Sequence, residues 1–374
     1  MRLRHAVPRM PGAASPEGTG RFSLRAARTH RVPPEHFRRA PGGLVLSSMG
    51  LGSYIGPPDR PTDEAVEQAA QLCLQSGRIN VLDTAINYRY QRAERSIGRG
   101  LVRAIDHGPV QREEVFVSTK VGYLAPDGES KVALDRWIET ELVATEILDP
   151  ADIVDDCHAM SVSYLRDQFE RSRTNLGLDS IDLLYLHNAP DTQLPSVGHD
   201  EFVRRLTEAF GLFEELRSAG RLGAYGLATW DCLRRPRGSV GYFPLEEGIG
   251  AARAVGGEKH GLRFLQFPFS LGMPEAAVQR NQSVRGENVT LFEAAHRLGL
   301  GCFTSVPLLQ GQLARVGPVA EGLSAAQTAI QFARSAPGTI GPLVGQKEPV
   351  HLAENLQLAE RAPWALREFQ SYLT

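Results

Sequence analysis

The stretch Val115-Phe-Val-Ser-Thr-Lys120 is a short, nearly continuous apolar run that ends in a lysine. A run of this kind, without strict alternation, is the pattern of a strand buried on both faces, as in a parallel sheet covered by helices. The same pattern recurs along the chain. Strand-like runs fall at 48–53, 80–85, 115–121, 181–188, 224–230, 264–270, 301–308 and 339–345. Helical patterns separate them near 63–77, 93–105, 163–176, 200–219, 245–256, 290–298, 324–335 and 348–360. In 93–105 the residues Ala93, Ile97, Leu101 and Ala104 form one apolar stripe, and in 163–176 Tyr164, Leu165, Phe169 and Leu176 form another. Gly177 follows at the position where a helix end favours a left-handed residue.

Eight strand–helix units predict a closed (β/α)₈ TIM barrel of the α/β class. An open doubly wound sheet is the rival. It requires a GxGxxG turn after its first strand, and Met49-Gly-Leu-Gly-Ser53 does not lead straight into a helix. Most links are short. The exception is a long insertion after the third strand, 122–162, which is expected to be a lid or pocket wall with a helical portion near 137–148. Smaller excursions at 231–244 and 271–289 lie on the same side.

Only four of the 374 residues are lysines, against 37 arginines. A lysine at the end of a buried strand therefore points to a need for an amine, whose pKa can shift as a guanidinium's cannot. The net charge of −2 provides no basic field, so neither nucleic acid nor a membrane surface is an expected partner. No run approaches the length of a membrane span. Cys73, Cys157, Cys232 and Cys302 are widely spaced with no CxxC pair, which predicts reduced thiols, a cytoplasmic setting and no metal site. Residues 1–36 hold seven arginines, no lysine and two acidic residues. They read as an Arg-rich disordered extension, with a transit peptide as the alternative, leaving 37–374 as a single barrel.

Three further ionisable residues resemble Lys120 in their placement. Asp83 and Tyr88 follow the run beginning at Asn80, and His187 ends Ile181-Asp-Leu-Leu-Tyr-Leu-His187. Barrel enzymes gather their active sites at the C-terminal ends of the strands, so these four residues are expected to meet at one mouth. A phenol is a poor acid at neutral pH, and an adjacent ammonium is expected to lower its pKa. A carboxylate would keep the ammonium charged, and an imidazole would share or relay a proton.

Here the sequence resembles the aldo-keto reductase superfamily. The resemblance lies in Leu82-Asp-Thr-Ala-Ile-Asn-Tyr88 with Glu94 and Gly98 beyond it, in Ser118-Thr-Lys120, and in Asp182-Leu-Leu-Tyr-Leu-His187. It implies a catalytic tetrad of Asp83, Tyr88, Lys120 and His187. It also implies an NADP(H)-dependent carbonyl reductase or alcohol dehydrogenase with Tyr88 as general acid and base.

The segment Leu343-Val-Gly-Gln-Lys-Glu-Pro-Val-His-Leu-Ala-Glu-Asn355 opens a helix whose N-terminus suits a phosphate. It resembles the family's adenosine-phosphate segment, which implies cofactor contacts at Gly345, Gln346, Lys347, His351, Glu354 and Asn355. Lys347 implies that NADP(H) is preferred over NAD(H). The resemblance adds Gly52, Ser53, Asn188, Thr229, Gln266, Thr304, Ser305, Leu308, Gln310 and Gly311 as further cofactor contacts. This chain carries Ala228-Thr229 where members carry Ser-Asn, and an extra residue before Pro307, so what stacks on the nicotinamide stays open. Tyr54, Trp137 and Trp230 are candidates for the substrate pocket. The expected partner is a small carbonyl or alcohol substrate, with a homo-oligomer also open. Two rivals share the fold: a slow NADP(H)-sensing regulatory subunit, and a sugar dehydratase or epimerase that recycles its cofactor.

Overall fold

A computed structural model describes residues 9–130 and 132–373. Eight parallel strands close into a barrel: β1 (Gly50–Gly52), β2 (Val81–Asp83), β3 (Phe116–Val121), β4 (Ile181–His187), β5 (Leu222–Ala228), β6 (Leu262–Pro268), β7 (Gly301–Ser305) and β8 (Thr339–Gly345). The β8–β1 pairing of Leu343 with Gly50 and Gly345 with Gly52 completes the ring. Every one of the eight predicted strands is found, and the expected (β/α)₈ barrel is the observed fold. The main outer helices are α1 (Pro16–Thr29), α2 (Arg60–Gln75), α3 (Arg92–Asp106), α4 (Val162–Leu176), α5 (His199–Ser218), α6 (Leu245–Gly256), α7 (Leu291–Arg297), α8 (Ala325–Ser335) and α9 (Pro349–Leu356). Among the described residues no helix is long and apolar enough to cross a membrane.

The period-2 geometry of a strand carries the chain from core to chemistry. On β3, Phe116, Ser118 and Lys120 share the inward face. Phe116 packs with Val81, Leu183, Phe264, Phe303 and Ile340 in an apolar lower layer, and its ring stacks on Phe303 with centroids 6.1 Å apart. Two residues up, Ser118 reaches Asp83, and two further up Lys120 does the same. The outward residue between them, Thr119, donates to the buried Glu94 of α3 over 2.6 Å, and Asn175 of α4 donates to the same carboxylate. Burial raises the Glu94 pKa, and these hydrogen bonds pull it back. The strand that carries Lys120 is therefore fixed from both faces.

Segment 1–36 departs from the expectation of disorder, apart from residues 1–8, which lie outside the described residues. Pro16–Thr29 is a helix with Ser15 as N-cap and Pro16 in its first turn. Phe22 and Ala26 are completely buried, and Phe22 belongs to the main core. Arg25 makes a bidentate pair with Glu114 at 2.8 and 2.7 Å. Below the strands, a ribbon pairs Phe37–Arg39 with Val45–Ser47, and Leu46 joins the inner apolar layer. Phe22→Ala is expected to cost about 3–5 kcal/mol. Urea unfolding of that variant with an unchanged midpoint would show that the helix adds nothing to the fold.

The insertion 122–162 builds a small core of Trp137, Leu142, Leu148 and Ala159, which packs on Tyr164 of α4. Its helical portion runs through Leu134–Ile138 and Glu139–Val143, close to the sequence expectation. Its root is closed by Leu124 N–H donating to Cys157 and Ala159 N–H donating to Gly122.

Candidate active site

A cavity of about 680 Å³ opens at the C-terminal ends of the strands. On its floor, Lys120 is fully buried and Asp83 is 3% exposed. Lys120 Nζ donates to Asp83 Oδ2 at 2.6 Å and to the Thr84 carbonyl at 2.8 Å. Asp83 Oδ1 accepts from Ser118 Oγ at 2.7 Å and from Gln266 Nε2 at 3.0 Å. The carboxylate thus accepts three hydrogen bonds from two strands, β3 and β6, and the ammonium is held in place. Burial works against the charged Lys120, but Asp83 and Tyr88 outweigh it and leave its pKa above the usual lysine value.

Tyr88 lies in the loop after β2, with Lys120 Nζ 4.7 Å from its ring centroid. Its pKa departs from the sequence expectation. Burial raises it, Lys120 lowers it, Asp83 raises it again, and the balance lies above the ordinary phenol. The nearby carboxylate cancels much of the ammonium's field, so the phenol stays protonated at neutral pH. The loop itself is tightly folded. Arg89, Tyr90 and Gln91 have φ of 49°, 56° and 71°, a left-handed run that non-glycine residues rarely adopt. It is held by an ion pair of Arg89 with Asp63, by Gln91 Nε2 donating to the Ala125 carbonyl at 2.8 Å, and by Gln91 N–H donating to the Ile86 carbonyl at 2.9 Å.

His187 ends β4 with its ring edge-on to Tyr88, centroids 5.8 Å apart. Burial, then Lys120, then His158 push its pKa well below the ordinary value, so the imidazole is neutral. Its Nδ1 is buried without a partner. Two neighbours were missed in the sequence. Tyr123 stands edge-on to His187 at 5.0 Å and to His158 at 5.1 Å. His158 Nε2 donates to the His187 carbonyl at 2.8 Å, and Gln193 Nε2 donates to His158 Nδ1 at 3.1 Å. Burial lowers the His158 pKa to about 4, so this anchor is also neutral. Both residues lie at the root of the long insertion, where no periodicity marks them. Asn87, beside Tyr88, also lines the cavity.

Most of the expected cofactor residues border the same cavity. Gly52, Ser53, Asn188, Thr229 and Gln266 lie along its inner part, and Ser305, Leu308, Gln310 and Gly311 along one side. Gly345, His351, Glu354 and Asn355 complete the far end. Three residues do not follow the expectation. Thr304 is fully buried in the wall of the barrel and does not border the cavity. Gln346 turns under α9, where its Oε1 accepts from Asn355 Nδ2 at 3.1 Å and its Nε2 lies 3.7 Å from Cys73 Sγ. Lys347 stays outside the lining and pairs with Glu348 at 2.6 Å. In the substrate set, Tyr54 and Trp230 border the cavity. Trp137 does not: it is 4% exposed and packs inside the insertion's own core. Among the described residues no cluster of His, Cys, Asp or Glu could hold a metal ion.

The fold and the mouth together define a parallel (β/α)₈ barrel with a buried Lys–Asp pair beneath a tyrosine and a histidine. The family model for the aldo/keto reductase family matches residues 48–235, half of the chain, and the chain belongs to that family. It is 28% identical over 206 residues to pyridoxal 4-dehydrogenase of Microbacterium luteolum, covering 51% of this chain and 55% of that one. With D-threo-aldose 1-dehydrogenase of a Pseudomonas species it shares 27% over 192 residues, 51% of this chain and 52% of the other. The chain thus spans about half the length of these curated relatives. Among solved structures, the holo form of an aldo-keto reductase from Bacillus halodurans aligns with TM-score 0.60 and 18% identity, over 91% of this chain and 95% of that one. An aldo/keto reductase from Klebsiella pneumoniae in complex with NADP and acetate aligns with TM-score 0.59 and 17% identity, over 90% and 94%. At these identities the structural likeness shows the fold.

Proposed function

We propose that this chain is an NADP(H)-dependent oxidoreductase that interconverts a carbonyl compound and its alcohol. The observation that carries this reading is the fully buried Lys120–Asp83 pair held under Tyr88 beside a neutral His187. A buried ion pair is expensive to maintain for stability alone, and here its Asp83 carboxylate borders a cavity of about 680 Å³ on the side where barrels do chemistry. The family relatives support it: the Klebsiella protein was solved with NADP, and two others are named dehydrogenases.

The residues along the cavity fit a dinucleotide. The N-terminus of α9, with Lys347 beside it, suits a phosphate. Glu354 and Asn355 border the adenosine end, and Asn188 and Gln266 offer carboxamides at the nicotinamide end. Bound there, the nicotinamide supplies or accepts the hydride. The protein's task is then the proton. Tyr88, protonated through neutral pH, donates to the developing alkoxide as general acid. Lys120, pinned by Asp83 and the Thr84 carbonyl, stands ready to stabilise the phenolate that results. His187, being neutral, orients the carbonyl without adding charge.

The test is to mix the purified chain with NADPH and a panel of aldehydes, and with NADP and alcohols, following cofactor absorbance. Substrate-dependent consumption is expected. A chain that binds NADPH yet consumes none with any of them is a sensor instead.

Cofactor choice has its own test. Glu348 competes with any 2′-phosphate for Lys347. Glu348→Ser is expected to raise the NADPH-to-NADH ratio of kcat/KM at least about threefold, and Lys347→Ala to lower it. Unchanged ratios in both variants would remove Lys347 from cofactor discrimination.

A further inference from the structure

The oxidoreductase reading leaves the substrate open, and the chemistry of the cavity wall narrows it. Among the described residues neither lysine nor arginine borders the cavity. Lys120, beneath the lining, is fully buried and engaged by Asp83, the Thr84 carbonyl and Tyr88. Of the acidic side chains that border it, Asp83 lies at the reaction end and Glu354 at the far end, and the His187 imidazole at the reaction end is neutral. Around Tyr88 the wall is made of Tyr54, Tyr123, Trp230, Asn87 and Asn188, which are neutral groups able to stack or hydrogen-bond.

Two of these aromatics are unusually exposed, Tyr54 at 60% and Trp230 at 41%. They follow β1 and β5, which lie opposite each other in the closed ring of eight. Neither is on a slack loop. Tyr54 stands edge-on to Tyr88, ring centroids 5.0 Å apart. At Trp230, the Asp191 carboxylate accepts from the backbone N–H groups of Trp230, Asp231 and Cys232 at 2.8, 2.7 and 2.8 Å. Arg234 donates to the Trp230 carbonyl at 3.0 Å. Two large apolar rings are thus fixed, uncovered, on opposite sides of the mouth above the reacting phenol. Nearer the floor, the Tyr123 hydroxyl accepts from Asn188 Nδ2 at 3.2 Å and has its own proton to donate.

Building on the oxidoreductase reading, we propose that the substrate is a neutral, ring-bearing carbonyl compound, and that the reaction end of the cavity, around Tyr88, discriminates against carboxylate-bearing substrates. An anionic group entering beside Tyr88 loses its hydration, meets no free cation among the described residues and approaches the Asp83 carboxylate. A neutral ring gains stacking area on Tyr54 and Trp230 at little entropic cost.

The experiment compares kcat/KM for benzaldehyde, 4-carboxybenzaldehyde and butanal with NADPH, in the wild type and in Tyr54→Arg and Trp230→Ala. Benzaldehyde is expected to exceed 4-carboxybenzaldehyde by about a hundredfold, as an unpaired charge in an apolar site demands. Tyr54→Arg supplies the missing cation and is expected to cut that ratio at least about tenfold, whatever it does to the absolute rates. Trp230→Ala is expected to raise KM for benzaldehyde more than for butanal. Similar efficiency for the neutral and the acidic aldehyde would overturn the charge assignment while leaving the oxidoreductase intact. An equal effect of Trp230→Ala on both neutral aldehydes would overturn the ring assignment. No NADPH consumption with any aldehyde would sink the oxidoreductase reading itself.

Discussion

On the proposed function, Tyr88→Phe is expected to lower carbonyl reduction by at least about a hundredfold while leaving NADPH binding intact, the loss that follows when a general acid is deleted. The substitution removes one hydroxyl and keeps the ring that packs edge-on against His187 and Tyr54, so the fold and the cofactor cleft have no reason to change. The wild-type reduction rate carries a matching signature. Tyr88 has its pKa above the ordinary phenol value and His187 well below the ordinary imidazole value, so neither titrates between about pH 7 and 9. A flat profile across that range is the expected result, with cofactor affinity measured separately by fluorescence. Near-normal turnover in the phenylalanine variant would reject Tyr88 as the proton donor.

Asp83→Ala has the largest expected effect on stability. The substitution leaves the Lys120 ammonium fully buried without a carboxylate, and strips an acceptor from Ser118 and Gln266. Breaking a buried pair in this way costs about 3–5 kcal/mol. Adding Lys120→Met to the same chain removes the stranded charge and should recover much of the loss, though not the activity. The pH dependence has a definite sign. In the wild type the folded-state pKa of Lys120 is raised, so its contribution is fully present below about pH 10.5 and is lost as pH rises through the folded value. In Asp83→Ala, burial loses its main opponent, with Tyr88 remaining, and that pKa is expected to fall. The single variant should therefore gain stability as pH rises towards 10, whereas the double variant should not. Equal urea midpoints for wild type and Asp83→Ala would show that the pair is dispensable to the fold.

Much of this was legible in the residues. The eight strands announce themselves because a strand buried on both faces has to be apolar for its whole length. Lys120 and His187 stand out because a titratable group closes such a run. Side-chain direction was harder to read. Gln346 sits between two residues of the expected cofactor segment but turns under α9 to meet Asn355, which no linear motif can indicate. Trp137 read as a pocket residue because it is large and lies in a long loop, yet the loop folds a core of its own around it. His158 and Tyr123 meet through an irregular segment of more than thirty residues, and no spacing rule spans it. The N-terminal helix was missed for a different reason. Its arginines and glycines mask a regular stripe of Gly18, Phe22 and Ala26, four residues apart, behind a Ser-Pro start that could have revealed it.

The left-handed run at Arg89, Tyr90 and Gln91 has an evolutionary consequence. Three adjacent residues in a sparsely populated conformation, clamped by Asp63 and by the root of the insertion, leave the segment holding the reactive phenol almost no freedom to drift. Changes in what the protein accepts must then accumulate on the other rim segments, after the first and fifth strands and in the insertion. On the proposed function, chemistry and selectivity would then sit on separate stretches of chain, so that lineages could retune one by mutation without disturbing the other.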